Sequence, residues 1–327
     1  MKLPRIIPSP WLGVAAVSAL CAAHGFADLF VSSFTQNSVR RYDADTGAFL
    51  GTFISAGLGG VSAPHRGRYG PDGNFYVASA NNDRILRYNG VTGAFIDIFA
   101  AAPQLDYPVD FEWGADGNLY VSSQLNDSIV RFNGVTGTII DVFVSAGSGG
   151  LDGPSGIQFH GNDLFVAGRF NAAGQNHVYR YDAITGAFEL GFGASEIITG
   201  FGLDFGADGN LYVVSGSSNL VVKFDPLTGA SMGNFVTAGS GGLNGAIGCE
   251  FGPDGNLYVA SLNTDIIERF NGMTGAPLGD FVVAGSGGLD APNFLTFAIP
   301  EPSAAAFVAG ALAFALIMRR RVAQRRS

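Results

Sequence analysis

Cysteine, histidine and positive charge are all scarce in this 327-residue chain, and each scarcity narrows what it can do. The two cysteines are Cys21 and Cys249. Cys21 lies in an apolar N-terminal stretch that reads as a cleaved signal, so Cys249 is left alone and an internal disulfide is excluded. A chain of this length buries enough core to be exported without one. Cys249 falls in an apolar strand pattern, which suits a buried structural thiol better than a nucleophile. Of four histidines, His24 leaves with the signal, and His65, His160 and His177 remain. Residues 28–300 hold 11 basic against 26 acidic residues, a net charge of −15. That balance argues against nucleic acid or an anionic membrane as the ligand of the body, and suits a soluble extracellular protein. Long apolar runs occur only at the two ends.

Residues 1–27 carry Lys2 and Arg5, an apolar run over Trp11–Ala23, then Gly25-Phe26-Ala27, which predicts a secretory signal peptide cleaved before Asp28. Leu20 stands before Cys21 where a lipoprotein site wants a small residue. At the other end, Pro300-Glu301-Pro302 precedes an apolar stretch over 303–318, then Arg319, Arg320 and Arg321, with Arg325 and Arg326 beyond. Sixteen residues at ~1.5 Å each give ~24 Å of helix, short of a ~30 Å hydrocarbon core, but flanking arginines can snorkel to complete a span. The arginines favour the cytoplasmic side, which places the body outside the membrane. This order of elements over 300–327 resembles the PEP-CTERM sorting tail of Gram-negative bacteria. The resemblance implies recognition by an exosortase-type sorting enzyme, with cleavage near Pro300–Pro302. It also implies an exopolysaccharide-producing setting: anchored through the C-terminal helix before processing, then in the envelope, on the surface or in the matrix. An uncleaved membrane anchor is the other reading.

Between these ends one motif returns six times, starting at Asp28, Asn74, Asn118, Asp163, Asn210 and Asn256, a spacing of about 46 residues. Each copy holds an aromatic-valine strand, a polar loop, a basic-aromatic pair and a Thr-Gly turn. A fixed period of this length containing only strands predicts an all-β fold, a six-bladed β-propeller over 28–299. Asp-Gly-Asn before the aromatic strand is a hairpin signal. The glycine-rich linkers read as backbone turns rather than a phosphate loop, since no Lys-Ser/Thr and helix follow. The body begins on a second strand at Asp28 and ends on an inner strand, Pro292–Ile299, so pairing the two closes the ring and removes its exposed edges. The Gly-x-Asp-Gly-Asn-Leu-Tyr-Val runs at Gly206–Val213 and Gly252–Val259 resemble the NHL and streptogramin-lyase-like propellers. That resemblance implies the fold and leaves function open, because such propellers include lyases, lactonases, peptide binders and scaffolds.

Repetition sorts the remaining residues: what recurs builds blades, and what breaks the pattern is the better site candidate. Arg41, Arg87, Arg131, Arg180, Lys223 and Arg269 share one repeat position, two before Asp or Asn, and are expected to pair locally. The Asp-Gly-Asn turns lack the further carboxylates of a calcium loop. One residue before the aromatic that ends each inner strand stand Arg68, Glu112, Gln158, Asp204, Glu250 and Thr296. These are expected to converge on a central channel, with Asp110 joining them. Glu112, Asp204 and Glu250 could together hold calcium or another hard divalent ion. Regucalcin and gluconolactonase propellers place a metal this way, and the bland alternative is a solvated polar channel offset by Arg68. His65 starts an inner strand and is the general-base candidate, since streptogramin-lyase-like enzymes use a histidine in the central cleft. His177 ends an expanded loop, Gly168–His177, and His160 is expected to be exposed. The loops after the second strands present amides and hydroxyls that suit a polysaccharide, including Gln36, Asn37, Asn81, Asn82, Asp83, Gln124, Asn126, Asp127, Asn176, Asn219, Asn263 and Asp265. Two function classes stay open: a non-catalytic binding or structural protein of the extracellular matrix, and a metal-dependent hydrolase, lactonase or lyase using the channel.

Overall fold

Alternating side chains build each blade from the axis outward. β1 (Asp28–Ser33), β2 (Ser38–Asp43) and β3 (Phe49–Ile54) pair antiparallel in that order. Four four-stranded blades follow in the same antiparallel pattern, each opening with its inner strand. They are β4 (Pro64–Tyr69), β5 (Phe75–Ser79), β6 (Arg84–Tyr88), β7 (Phe95–Ala100); β8 (Pro108–Trp113), β9 (Leu119–Ser123), β10 (Ser128–Phe132), β11 (Ile139–Val144); then β12 (Pro154–His160), β13 (Asp163–Gly168), β14 (Val178–Asp182), β15 (Phe188–Phe192); and β16 (Gly200–Phe205), β17 (Leu211–Ser215), β18 (Leu220–Phe224), β19 (Ser231–Val236). A fifth such blade comprises β20 (Ala246–Phe251), β21 (Leu257–Ser261), β22 (Ile266–Phe270) and β23 (Pro277–Val282). The last strand, β24 (Pro292–Ala298), pairs with β1, Val31 opposite Leu295, and completes the sixth sheet in the order β24-β1-β2-β3. The protein is a six-bladed β-propeller closed by its terminal strands.

This computed structural model describes residues 28–172 and 174–298. The signal peptide, the sorting residues Pro300, Glu301, Pro302, Arg319, Arg320 and Arg321, and the apolar stretch 303–318 lie outside the described residues. Among the described residues no helix is long and apolar enough to cross a membrane.

The core lies between blades, where Phe30, Val39 and Ile54 of one meet Phe75, Val77, Leu86 and Tyr88 of the next. The Thr-Gly turns explain themselves at this seam. In the second blade Asn89 Oδ1 accepts the Thr92 N–H (2.9 Å) and the Thr92 hydroxyl (3.0 Å). Gly93 then turns with φ 69°, and a Cβ there would run into the Phe53 carbonyl of the preceding blade. Only glycine meets both demands.

Five of the six repeated basic residues pair locally, Arg269 forming no ion pair among the described residues, and none pairs with the Asp or Asn two positions on, whose side chain is spent on the turn. Arg87 binds Asp97 of the outer strand and Arg131 binds Asp141 (each 2.5 Å), while Lys223 reaches Asp208 of an Asp-Gly-Asn turn at 2.7 Å. Those turn carboxylates are themselves committed: Asp72 accepts the Asn74 N–H (3.0 Å) and the Tyr76 hydroxyl (2.9 Å).

One repeat position breaks its own rule. Leu86, Val130, Tyr179 and Val222 occupy it in four blades, Arg40 in the first and Glu268 in the last. Glu268 is wholly buried against Gly241, with no hydrogen-bond partner for either carboxyl oxygen. Burial, with Asp280 opposite, pushes its carboxyl up to about 8.

Candidate binding site on the propeller axis

Six inner strands surround the axis, so equivalent residues form layers. The two faces of the disc differ. One carries the linkers and the loops after each second strand (the loop face); the other carries the Asp-Gly-Asn and Thr-Gly turns (the turn face). Arg68, Gln158, Asp204, Glu250 and Thr296 do converge, toward the turn face. They line a cavity of about 420 Å³ walled by Phe205, Phe251 and Phe297, with Cys249 and Arg66 also lining it.

Arg66 is the residue that sequence reasoning passed over, and it organises the channel. It is 2 % exposed and sits on the axis. Its Nε donates to Asp110 Oδ1 (3.0 Å), its Nη1 to Glu250 Oε2 (3.2 Å) and to the Leu295 carbonyl (2.8 Å). Burial disfavours its charge, but Asp110 and Glu250 outweigh that and hold it cationic. Room for it comes from Gly156, Gly202 and Gly248 at the matching positions, where any Cβ would press on the backbone of the next inner strand. The signal was there in the sequence, an arginine where three other blades place glycine, but Arg68 drew the attention.

The acidic side chains are latches between blades. Glu112 Oε2 accepts the Phe159 N–H (3.0 Å), Asp204 Oδ2 that of Phe251 (2.7 Å), and Glu250 Oε1 that of Phe297 (3.0 Å). Each donor is the strand-ending aromatic of the following blade. Asp110 likewise accepts from Ile157 at 3.2 Å. Glu112 also pairs with Arg68 at 3.2 Å, and Asp204 takes the Gln158 amide at 3.0 Å. Burial raises Glu112 against the pull of Arg68, raises Asp204 against its backbone donors, and lifts Glu250 to about 7 against Arg66. Among the described residues, no group of three or more His, Cys, Asp or Glu side chains is arranged to hold a metal ion. Arginine and backbone N–H groups stand where cation chemistry would need free oxygens.

His65 does not join these carboxylates. It lies at the loop-face end, one residue before Arg66, with Nδ1 2.9 Å from Asn293 Nδ2. Burial, then the nearby Arg169 charge, depresses it to about 3, so it stays neutral. Cys249 is fully buried and its thiol is pushed well up by that burial. His177 is buried with Nδ1 3.2 Å from the Gly168 carbonyl, and His160 is exposed and stacked on Phe205 at 4.0 Å.

No family model matches the chain, and no curated protein matches it. Among solved structures, 1040 chains match. One, titled "Crystal structure of Nidogen/Laminin Complex", superposes with a TM-score of 0.66 at 12 % identity, covering 84 % of this chain and all of its own. That likeness is one of fold. It agrees with the blade count and says nothing of the channel.

The loop-face amides also prove largely structural. Asn37, Asp83, Asp127, Asn219 and Asp265 have positive φ, and each accepts a backbone N–H from the linker entering the next blade, at 2.6–2.9 Å. Asn82 and Asn126 donate to the Gly60 and Gln104 carbonyls. What varies is the residue that follows each second strand: Phe34, Ala80, Gln124, Arg169, Gly216 and Leu262. Six equivalent positions with six different side chains are the pattern-breaking signal, and of these only Gln124 was a candidate from sequence.

Proposed function

We propose that this propeller is a non-catalytic binding or structural protein of the cell exterior. On this reading it is exported by its signal peptide and sorted through its PEP-CTERM-like tail by an exosortase-type enzyme. Its partners are exopolysaccharide or extracellular protein, met through the variable loop-face mouth. The single observation that carries this reading is the state of the channel. Its carboxylates are consumed as inter-blade latches and arginine partners, and His65 is buried away from them. An acidic body and the NHL-like repeats are in keeping with it. The competing reading is a metal-dependent hydrolase, lactonase or lyase in the turn-face cavity, with calcium held by Glu112, Asp204 and Glu250. The two separate on one assay. Purified protein is screened for lactone and ester turnover with and without calcium, beside Glu112→Gln and Asp204→Asn. Turnover lost in either variant sinks the binding-only reading. Binding to extracted exopolysaccharide, retained in both variants, sustains it.

A further inference from the structure

The expanded loop of the fourth blade places an arginine where other blades carry neutral residues. Arg169 follows β13 directly, and its guanidinium carbon stacks 4.7 Å over Phe201 and 5.2 Å over Phe170. Nη1 donates to Gln124 Oε1 at 3.1 Å. Among the described residues it forms no ion pair. Burial weighs against its charge, and no carboxylate offsets that.

The groups beneath it are equally unfinished. His65, Gln124 and Asn293 are each at most 4 % exposed, yet His65 Nε2, Gln124 Nε2 and Asn293 Oδ1 have no hydrogen-bond partner. They are contiguous with Arg169. Gln124 binds it, Tyr107 packs on His65 at 5.4 Å, and His65 meets Asn293. As placed, Asn293 Nδ2 donates to Nδ1, so the His65 proton sits on Nε2 and is a donor without an acceptor. Buried polar atoms are normally satisfied, and a cluster of exceptions needs a reason. The surroundings of the cation and of His65 are aromatic: Phe170, exposed, and Phe201 lie on Arg169, and the half-buried Phe34 and Tyr107 pack on His65.

We propose that this loop-face mouth is a binding site in which Arg169 takes the carboxylate of an acidic sugar. The ligand chemistry follows from the parts. A planar guanidinium stacked on two rings, with Nη1 engaged by Gln124, has its other N–H groups left to pair with a carboxylate. Phe170 and Tyr107 offer faces for the C–H surface of a sugar ring. A single cation at this mouth, on a body of net charge −15, takes one carboxylate and the body repels dense polyanions. The inference rests on the loop-face binding reading above and narrows its ligand to a uronic acid unit.

The test compares methyl glucuronide with methyl glucoside, which differ only in carboxylate against hydroxymethyl. Binding to the full chain in detergent is measured by titration calorimetry, at low and high salt. The glucuronide is expected to bind at least tenfold more tightly, with the preference shrinking in salt and vanishing in Arg169→Gln. Should that variant not fold, Gln124→Leu keeps the charge, removes its anchor, and is expected to cut the preference several-fold. Equal binding of both glycosides, unchanged in the variants, overturns the carboxylate assignment and leaves the wider carbohydrate reading standing. Binding of neither overturns the assignment, and the wider reading is then judged on neutral polymers.

Discussion

Replacing Glu268 by leucine should stabilise the protein, and more so in alkali. Leucine fills the same repeat position at Leu86, and Glu268 has no hydrogen bond to lose. Removing a buried unpaired polar group is worth about 1–3 kcal/mol even when the group is neutral. The pH dependence follows from the raised carboxyl. Its ordinary value is 4.5 and its folded value about 8, so between those limits the folded protein keeps a proton that the unfolded chain has released. Stability therefore falls as pH rises through that window and levels off above it. With leucine in place this slope disappears. At pH 5 the variant should lead by about 1–2 kcal/mol, and at pH 9 by roughly 4 kcal/mol more, since each pH unit inside the window costs the parent ~1.4 kcal/mol. For a domain of this size 1 kcal/mol moves Tm by about 2–4 °C, so the leads become ~2–8 °C at pH 5 and ~10–24 °C at pH 9. Melts by circular dichroism at both pH values measure this. A leucine variant that melts at or below the parent at pH 9 would refute the view of Glu268 as an unrewarded buried acid.

Other expectations follow from the same geometry. Arg66→Met strands Asp110 and Glu250 in the channel and should cost about 3–5 kcal/mol in denaturant unfolding, part of it recovered by adding Asp110→Leu. Glu250, lifted to about 7, also loses the protein stability as pH climbs from 4.5 to 7, and Glu250→Gln should flatten that stretch of the stability profile. Gly93→Ala forces a left-handed alanine against the Phe53 carbonyl and should cost more than ~2 kcal/mol in a thermal melt, whereas the same change at Gly73, in open space, costs only its backbone strain, ~1 kcal/mol. EDTA or added calcium should shift Tm by less than about 1 °C. A rise of several degrees with calcium, abolished by Glu112→Gln, would mean that the latch carboxylates also hold an ion.

The architecture was legible because the sequence repeats it. Six aromatic-valine strands and six Thr-Gly turns state the blade count, and the offset ends state the closure through β1 and β24. The meeting of Arg68, Gln158, Asp204, Glu250 and Thr296 at the axis was also legible, since equivalent residues in a ring converge, whereas Glu112 is turned to Arg68 and Phe159 and does not line the cavity. What those residues do was not. Glu112 reaches Phe159 and Glu250 reaches Phe297 only because neighbouring inner strands lie side by side, a contact between blades that the period within a blade does not encode. Arg66 was hidden behind Arg68, two residues on and on the same side of the strand, because its reach to Asp110 and Glu250 follows from an irregular pairing between Pro64 and Gly67 that the repeat does not announce. Arg169 was hidden inside a loop read for its length rather than for its first residue.

The closure has a consequence in time. Val31 pairs with Leu295, so the first strand to be made waits for the last. At about 5–20 residues per second that wait is roughly 13–50 s, long against the microseconds in which a hairpin forms. Until β24 arrives the nascent disc is an open arc with two bare edges, on β1 and on the newest strand. Either edge can recruit a strand from another copy. Assembly errors in this protein should therefore be exchanges at the first blade, sealed the moment the ring shuts.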